Sequence, residues 1–168
     1  NEILGVPYDD GIALLTQLDL ERAAVLGPNT VEQALQNIHL YDGRIVLGID
    51  WGGRGMSGKS LTKIAVCALA PNGIIDILFG VQLPATSNSA KEAQVITYLW
   101  EVFKPMFIAH DNIGIGQRAE EMVVQCGIPL DKLLPMEYVG ETQGLILKSR
   151  AINENNPRKV YNVDKTRG

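Results

Sequence analysis

The sequence predicts an α/β domain on one mixed sheet: a three-strand antiparallel meander, then parallel β-α-β units with flanking helices. Three observations carry this. The apolar run Ile45–Ile49 ends on a carboxylate, Asp50, and is followed by two β-prone runs joined at Asn72-Gly73, a strong hairpin signal. Val95, Leu99 and Val102, with Ile96, Trp100 and Phe103, recur at helical spacing over Lys91–Lys104. Beyond Pro105 an apolar run, a short helix pattern and another apolar run alternate, which demands parallel crossovers.

At 168 residues with 46% apolar and 20% charged side chains, the chain is long enough to bury a proper core. A net charge of −4 gives no global basic field for nucleic acid, although an acidic metal site adds negative charge of its own. Cys67 and Cys126 both sit in apolar surroundings and read as buried thiols of a reducing compartment. No apolar run reaches the roughly 18 residues a membrane span needs, and no signal pattern opens the chain, so a cytoplasmic location is expected. The chain starts at Asn1 without a methionine and is expected to be a fragment of something longer.

Taken in order, residues 1–43 read as a flanking or linker segment, and 44–168 as the main domain. Asn1–Gly11 is irregular; Thr16–Leu26 can form a short helix that Gly27-Pro28 stops. Asn29 or Thr30 can cap a further turn or two through Leu35, and Tyr41-Asp42-Gly43 turns the chain into the first strand, Arg44–Asp50. Thr62–Ala70 and Ile74–Leu83 are the second and third strands, and Ser87, Asn88 or Ser89 caps the helix that Pro105 ends. Met106–His110 is a short strand that again ends on a carboxylate, Asp111. A glycine-containing turn leads to a helix over Gln117–Gln125, closed by Gly127, then to a strand over Leu133–Val139. After Gly140 the pattern fades, Asn153–Pro157 reads as a loop, and Arg158–Asp164 is a last extended piece.

Two chemistries compete for the first strand end. Gly53–Ser60 fits the phosphate-cradling pattern G-x-x-x-x-G-K-S, which would make the chain a nucleotide-binding ATPase or kinase. Against it, such a loop must open a helix, yet the residues after Ser60 are β-prone and lead to a hairpin turn, and Asp50 would confront the phosphate. The other reading takes Asp50 and Asp111 as metal ligands. The order β-β-β-α-β-α-β with acids ending the first and fourth strands matches a ribonuclease-H-like architecture, in which those strands are parallel neighbours. Two adjacent carboxylates repel unless cations sit between them, which suits a two-metal phosphodiester site using Mg²⁺ or Mn²⁺. Arg54, Lys59 and Lys63 could meet DNA phosphates there.

Several stretches also resemble the large subunit of tailed-phage terminases, the DNA-packaging motor. Asn1–Pro7 followed by Asp9-Asp10-Gly11 is similar to the stretch that leaves the family's ATPase domain. Ile45–Gly53, with Ser60 and Thr62 ahead of Ile-Ala-Val, resembles the start of its nuclease domain; Ile108-Ala109-His110-Asp111-Asn112 with Gly114 and Gly116 resembles its second acidic motif. The resemblance implies an endonuclease that cuts concatemeric viral double-stranded DNA in the bacterial host's cytoplasm. It also implies an upstream ATPase domain, a portal and a small terminase subunit as partners. It implies a third metal-binding Asp well past the second, expected beyond Gly168; Asp164 and Glu137 are the candidates within the chain. A Holliday-junction resolvase shares the Gly-Ile-Asp strand end, as do actin-like ATPases and sugar kinases, which need a second copy of the fold.

The remaining polar residues read as structural. Alternation turns His110 to the face opposite Asp111, His39 is a surface residue, Trp100 is core, and Glu120 and Glu121 face solvent. Lys148, Arg150, Arg158, Lys159, Lys165 and Arg167 form a basic region, either solvated or facing DNA.

Overall fold

Alternation of buried and open positions along one central strand organises the domain. The structure is a computed structural model describing residues 18, 21–22, 30–52, 54–55, 58–59, 61–84, 87–112, 116–139, 147–153 and 156–164. Its strands are β1 (Ile45–Asp50), β2 (Lys63–Leu69), β3 (Ile75–Gln82), β4 (Phe107–Asp111), β5 (Leu133–Val139), β6 (Leu147–Asn153) and β7 (Asn156–Asp164). They form one seven-stranded sheet in the order β3-β2-β1-β4-β5-β7-β6. β1, β2 and β3 pair antiparallel; β4, β5 and β7 run parallel to β1; β6 returns antiparallel on the far edge. The meander and the parallel crossovers are thus as expected.

Ile45, Leu47 and Ile49 of β1 are buried together with Ile64 and Val66 of β2 and Ile108 of β4. The same core takes in Ala34 from helix α1 (Val31–Gln36), Ala93, Ile96, Leu99 and Phe103 from α2 (Ser89–Phe103), and Ala119 and Val123 from α3 (Gly116–Gln125). One side chain fixes each start. Thr30 caps α1 in a reciprocal capping box with Gln33, and Asn88 caps α2 by accepting from the Lys91 N–H at 3.0 Å. α2 ends with Lys104 in the left-handed region (φ 48°), just ahead of Pro105.

Three expectations change. Trp100 is only half-buried, at the margin of the core, because Ile96, Leu99 and Phe103 form the innermost stripe of α2. The fading pattern after Gly140 conceals β6, and the expected loop at Asn153–Pro157 narrows because Asn153 already pairs with Asn156. Cys126 is exposed at the end of α3 and Cys67 half-buried, so the two thiols are not a buried pair; burial pushes the Cys67 thiol up. The expected helix at Thr16–Leu26 lies mostly outside the described residues, as do Asn1–Gly11, Gly27-Pro28, Lys165 and Arg167; Leu18, Glu21 and Arg22 are helical. Among the described residues no helix is long and apolar enough to cross a membrane.

Candidate active site

With Ile45, Leu47 and Ile49 turned into the helical core, Val46, Gly48 and Asp50 face the other side of the sheet. β4 alternates in phase: Ile108 and His110 are buried, while Phe107, Ala109 and Asp111 share the face of Asp50. The parallel register pairs Gly48 with Ala109 and Ile49 with His110, so the next step sets Asp50 level with Asp111 on neighbouring strands. Adjacent strands lie about 4.8 Å apart. On the other side of Asp50 its antiparallel partner is Lys63, which is exposed. The structure therefore brings Asp50, Asp111 and Lys63 together at one end of the sheet.

These three residues line an open groove of about 630 Å³ with Gly48, Ala109, Met136 and Tyr138. The groove has a local cause. Gly48 and Ala109 are register partners two residues before the carboxylates, and a Cβ on Gly48 would meet nothing within 4 Å. Two small residues side by side leave a depression beneath the acids. Oxygen-only donors from paired carboxylates fit a hard divalent cation such as Mg²⁺ or Mn²⁺. Among the described residues no group of three or more His, Cys, Asp or Glu converges to hold a metal ion, so the donor set found is this pair.

The candidates for a third acid lie elsewhere. Glu137 follows Met136, which lines the groove, so alternation turns it to the opposite face, where its carboxylate accepts from Asn112 Nδ2 at 3.1 Å. Asp111 is level with Met136, and Met136 with Tyr161; Asp164 pairs with Val139, three residues or about 10 Å farther along the strand. Arg54 and Lys59 pair with each other in a two-residue antiparallel ribbon between β1 and β2. This ribbon occupies part of Gly53–Ser60, and Leu61 and Thr62 lead straight into β2. The helix that a phosphate-cradling loop must open is not the element that follows.

Behind the carboxylates, on the helical face, lies a buried polar network. His110 is 2% exposed, and its Nδ1 accepts from the indole N–H of Trp51 at 3.3 Å. His110 Nε2 lies 2.9 Å from Glu120 Oε2, and Arg158 grips both Glu120 oxygens while donating to the Leu133 carbonyl at 2.9 Å. Burial works against the Glu120 charge, but hydrogen bonds from His110 and Arg158 and the Arg158 charge prevail, holding its carboxyl at about 2. His110 is thus a satisfied structural histidine, as alternation implies. Glu120 and Arg158 are corrections: Glu120 turns inward from α3, away from solvent, and Arg158 is its partner from β7, no part of a free basic surface. Glu121 and His39 are exposed as expected.

Residues after Asp50 are braced twice more. Gly52 N–H donates to Thr62 Oγ1 at 2.9 Å, and the Thr62 hydroxyl donates to Glu92 Oε1 on α2 at 3.0 Å. Gly116, the first residue of α3, lies so close to β4 that a Cβ there would sit 2.0 Å from the Asp111 carbonyl oxygen and 3.4 Å from the Trp51 ring. Sequence reading gave no role to Trp51, Thr62, Glu92 or Gly48. A usable signal existed for Trp51: a tryptophan alternating with a strand-end carboxylate must turn inward, and its buried N–H needs an acceptor. A scan of protein-family models and a search of curated proteins find no match to the chain.

Proposed function

We propose that this chain is a metal-dependent endodeoxyribonuclease of ribonuclease-H-like architecture. The observation that carries the reading is the pair Asp50 and Asp111, level on neighbouring parallel strands and facing one open groove beside Lys63. The strand order β3-β2-β1-β4-β5, antiparallel on one side of β1 and parallel on the other, supports the same class. Within that class, the sequence motifs around both acids favour the nuclease domain of a tailed-phage terminase large subunit, cutting concatemeric viral DNA during packaging. On that reading its partners are double-stranded DNA, an upstream ATPase domain, the portal and the small terminase subunit.

Asp50 and Asp111 would hold Mg²⁺ or Mn²⁺, and such ions, when bound, generate a hydroxide nucleophile and stabilise the leaving 3′ oxygen. The chain's own part is positional and electrostatic. Strands β1 and β4 fix the two carboxylates, and Lys63 supplies a cation on the approach of the phosphodiester backbone. The small pair Gly48 and Ala109 leaves room for that backbone below the acids.

The test is nicking of supercoiled plasmid with Mn²⁺, with EDTA, and with Asp50→Ala. Nicking that needs Mn²⁺ and disappears in Asp50→Ala is expected, with a loss of at least about 100-fold. Equal nicking by wild type and variant, or none by the wild type, sinks the proposal. Preference for a four-way junction over linear duplex would redirect it to a resolvase-like nuclease.

A further inference from the structure

The two residues that flank the carboxylates in sequence, Trp51 after Asp50 and His110 before Asp111, are hydrogen-bonded to each other on the far face of the sheet. Alternation makes this possible: each ring points into the core because its neighbouring carboxylate points out. The rings meet edge to face at 6.1 Å between centroids and 72° between planes. An indole N–H can only donate, and it is directed at His110 Nδ1, which also lies 3.1 Å from the Asp111 backbone carbonyl. His110 Nε2 faces Glu120, whose ionised carboxylate can only accept. The two ring nitrogens of His110 thus link Trp51, the Asp111 backbone and Glu120.

We propose that Trp51, His110, Glu120 and Arg158 form a positioning relay that fixes the spacing of Asp50 and Asp111 from behind. The Trp51–His110 bond ties the end of β1 to the end of β4, and Glu120 and Arg158 anchor His110 to α3, to β7 and, through the Leu133 carbonyl, to β5. Gly116 supports the arrangement independently. Its bare Cα lets α3 start against the Asp111 carbonyl and the Trp51 ring, which any side chain would push apart. Alternation turns the Trp51 and His110 rings to the face opposite the carboxylates, and Glu120 and Arg158 do not line the groove. They act through the strand ends, so they are positioning residues. The link from spacing to metal affinity rests on the nuclease reading above.

Trp51→Phe tests the relay because it keeps a buried aromatic ring and removes the indole donor. Glu120→Gln, which leaves Trp51 in place, separates the lost bond from the volume lost with the second ring. Two measurements separate the relay from the nuclease reading. The first is hydrogen–deuterium exchange on the metal-free chain. Amides at the strand ends, from Asp50 to Gly52 and at Asp111 and Asn112, are expected to exchange about tenfold faster in the variant, while those of Leu47 and Ile108 keep their wild-type rates. Unchanged strand-end exchange, or uniform acceleration across the sheet, overturns the relay. The second is calorimetric titration with Mn²⁺, where loss of such a supporting contact is expected to raise Kd by about tenfold or more. Unaltered Mn²⁺ affinity in the variant overturns the claim that the relay sets the site. Failure of the wild type to take up Mn²⁺ removes the nuclease reading, and the exchange result still decides the relay. Should Trp51→Phe fail to fold, Glu120→Gln, farther from the carboxylates, is read by the same strand-end exchange.

Discussion

Glu120 is where a single side chain shifts the whole chain's response to acid. Its carboxyl sits at about 2 in the fold against an ordinary value of 4.5. A depressed folded value means that the native state holds the proton less tightly than the unfolded chain. The stabilisation is fully present above about 4.5 and drains away as pH falls toward 2. A gap of this size corresponds to on the order of 3 kcal/mol. Urea melts of wild type and Glu120→Gln across pH 2 to 7 check this. Wild type is expected to be the more stable by about 2–3 kcal/mol at pH 7, with the difference shrinking steadily below pH 4.5. A difference independent of pH would mean that Glu120 acts through packing alone. The sequence could not supply this pairing, because Arg158 comes from a strand 38 residues away and looked like one cation of a basic tail. What it did supply was the sidedness of His110, since period-two alternation needs no tertiary information.

At the scale of elements, two glycines show how strand and helix geometry shape the site in opposite ways. Gly48 lies mid-strand with open space where a Cβ would go, whereas Gly116 has the Asp111 backbone 2.0 Å from that point. Gly48→Val should leave the fold as stable as wild type or gain about 0.5–1 kcal/mol, since glycine is a poor strand residue. It should also weaken duplex binding, because the new side chain fills the depression beneath the carboxylates. Gly116→Ala should lose about 1–3 kcal/mol, as overpacking against backbone does. Chemical denaturation with a duplex-binding assay on the same two proteins checks both halves, and equal stability losses would refute the distinction. Elements with local signals were legible: the Asn72-Gly73 hairpin, the α2 stripe and the Thr30 cap all stand where pattern and turn chemistry put them. β6 was not, because Leu147–Asn153 (Leu-Lys-Ser-Arg-Ala-Ile-Asn) does not alternate apolar and polar residues, and its place at the sheet edge depends on nonlocal pairing with β7. Its partner β7 was legible as extended, but its place between β5 and β6 depends on nonlocal pairing.

The molecule as a whole sets one sheet face against helices and leaves carboxylates on the other, so the site works against the fold that holds it. Asp50 and Asp111 are level neighbours of like charge, an arrangement that destabilises a sheet by about 0.2–1 kcal/mol, with Lys63 as the antiparallel partner beside Asp50. Asp50→Asn removes the repulsion while keeping the side chain's shape. The metal-free variant should therefore melt at or slightly above the wild-type temperature, by about 1–2 °C. Divalent cation reverses the order. A ligand at about 100 times its Kd stabilises the native state by about 2.7 kcal/mol, which for a chain of this length raises Tm by roughly 5–10 °C. Wild type is expected to show that rise with Mn²⁺ and to lose it on adding EDTA, while Asp50→Asn melts at the same temperature throughout. An equal Mn²⁺ response in the variant would place the cation away from Asp50 and remove the carboxylate pair as its site. A metal-free wild type that melts well above the variant would instead mean that Lys63 more than compensates the pair, making the site a stabilising element of the sheet in its own right.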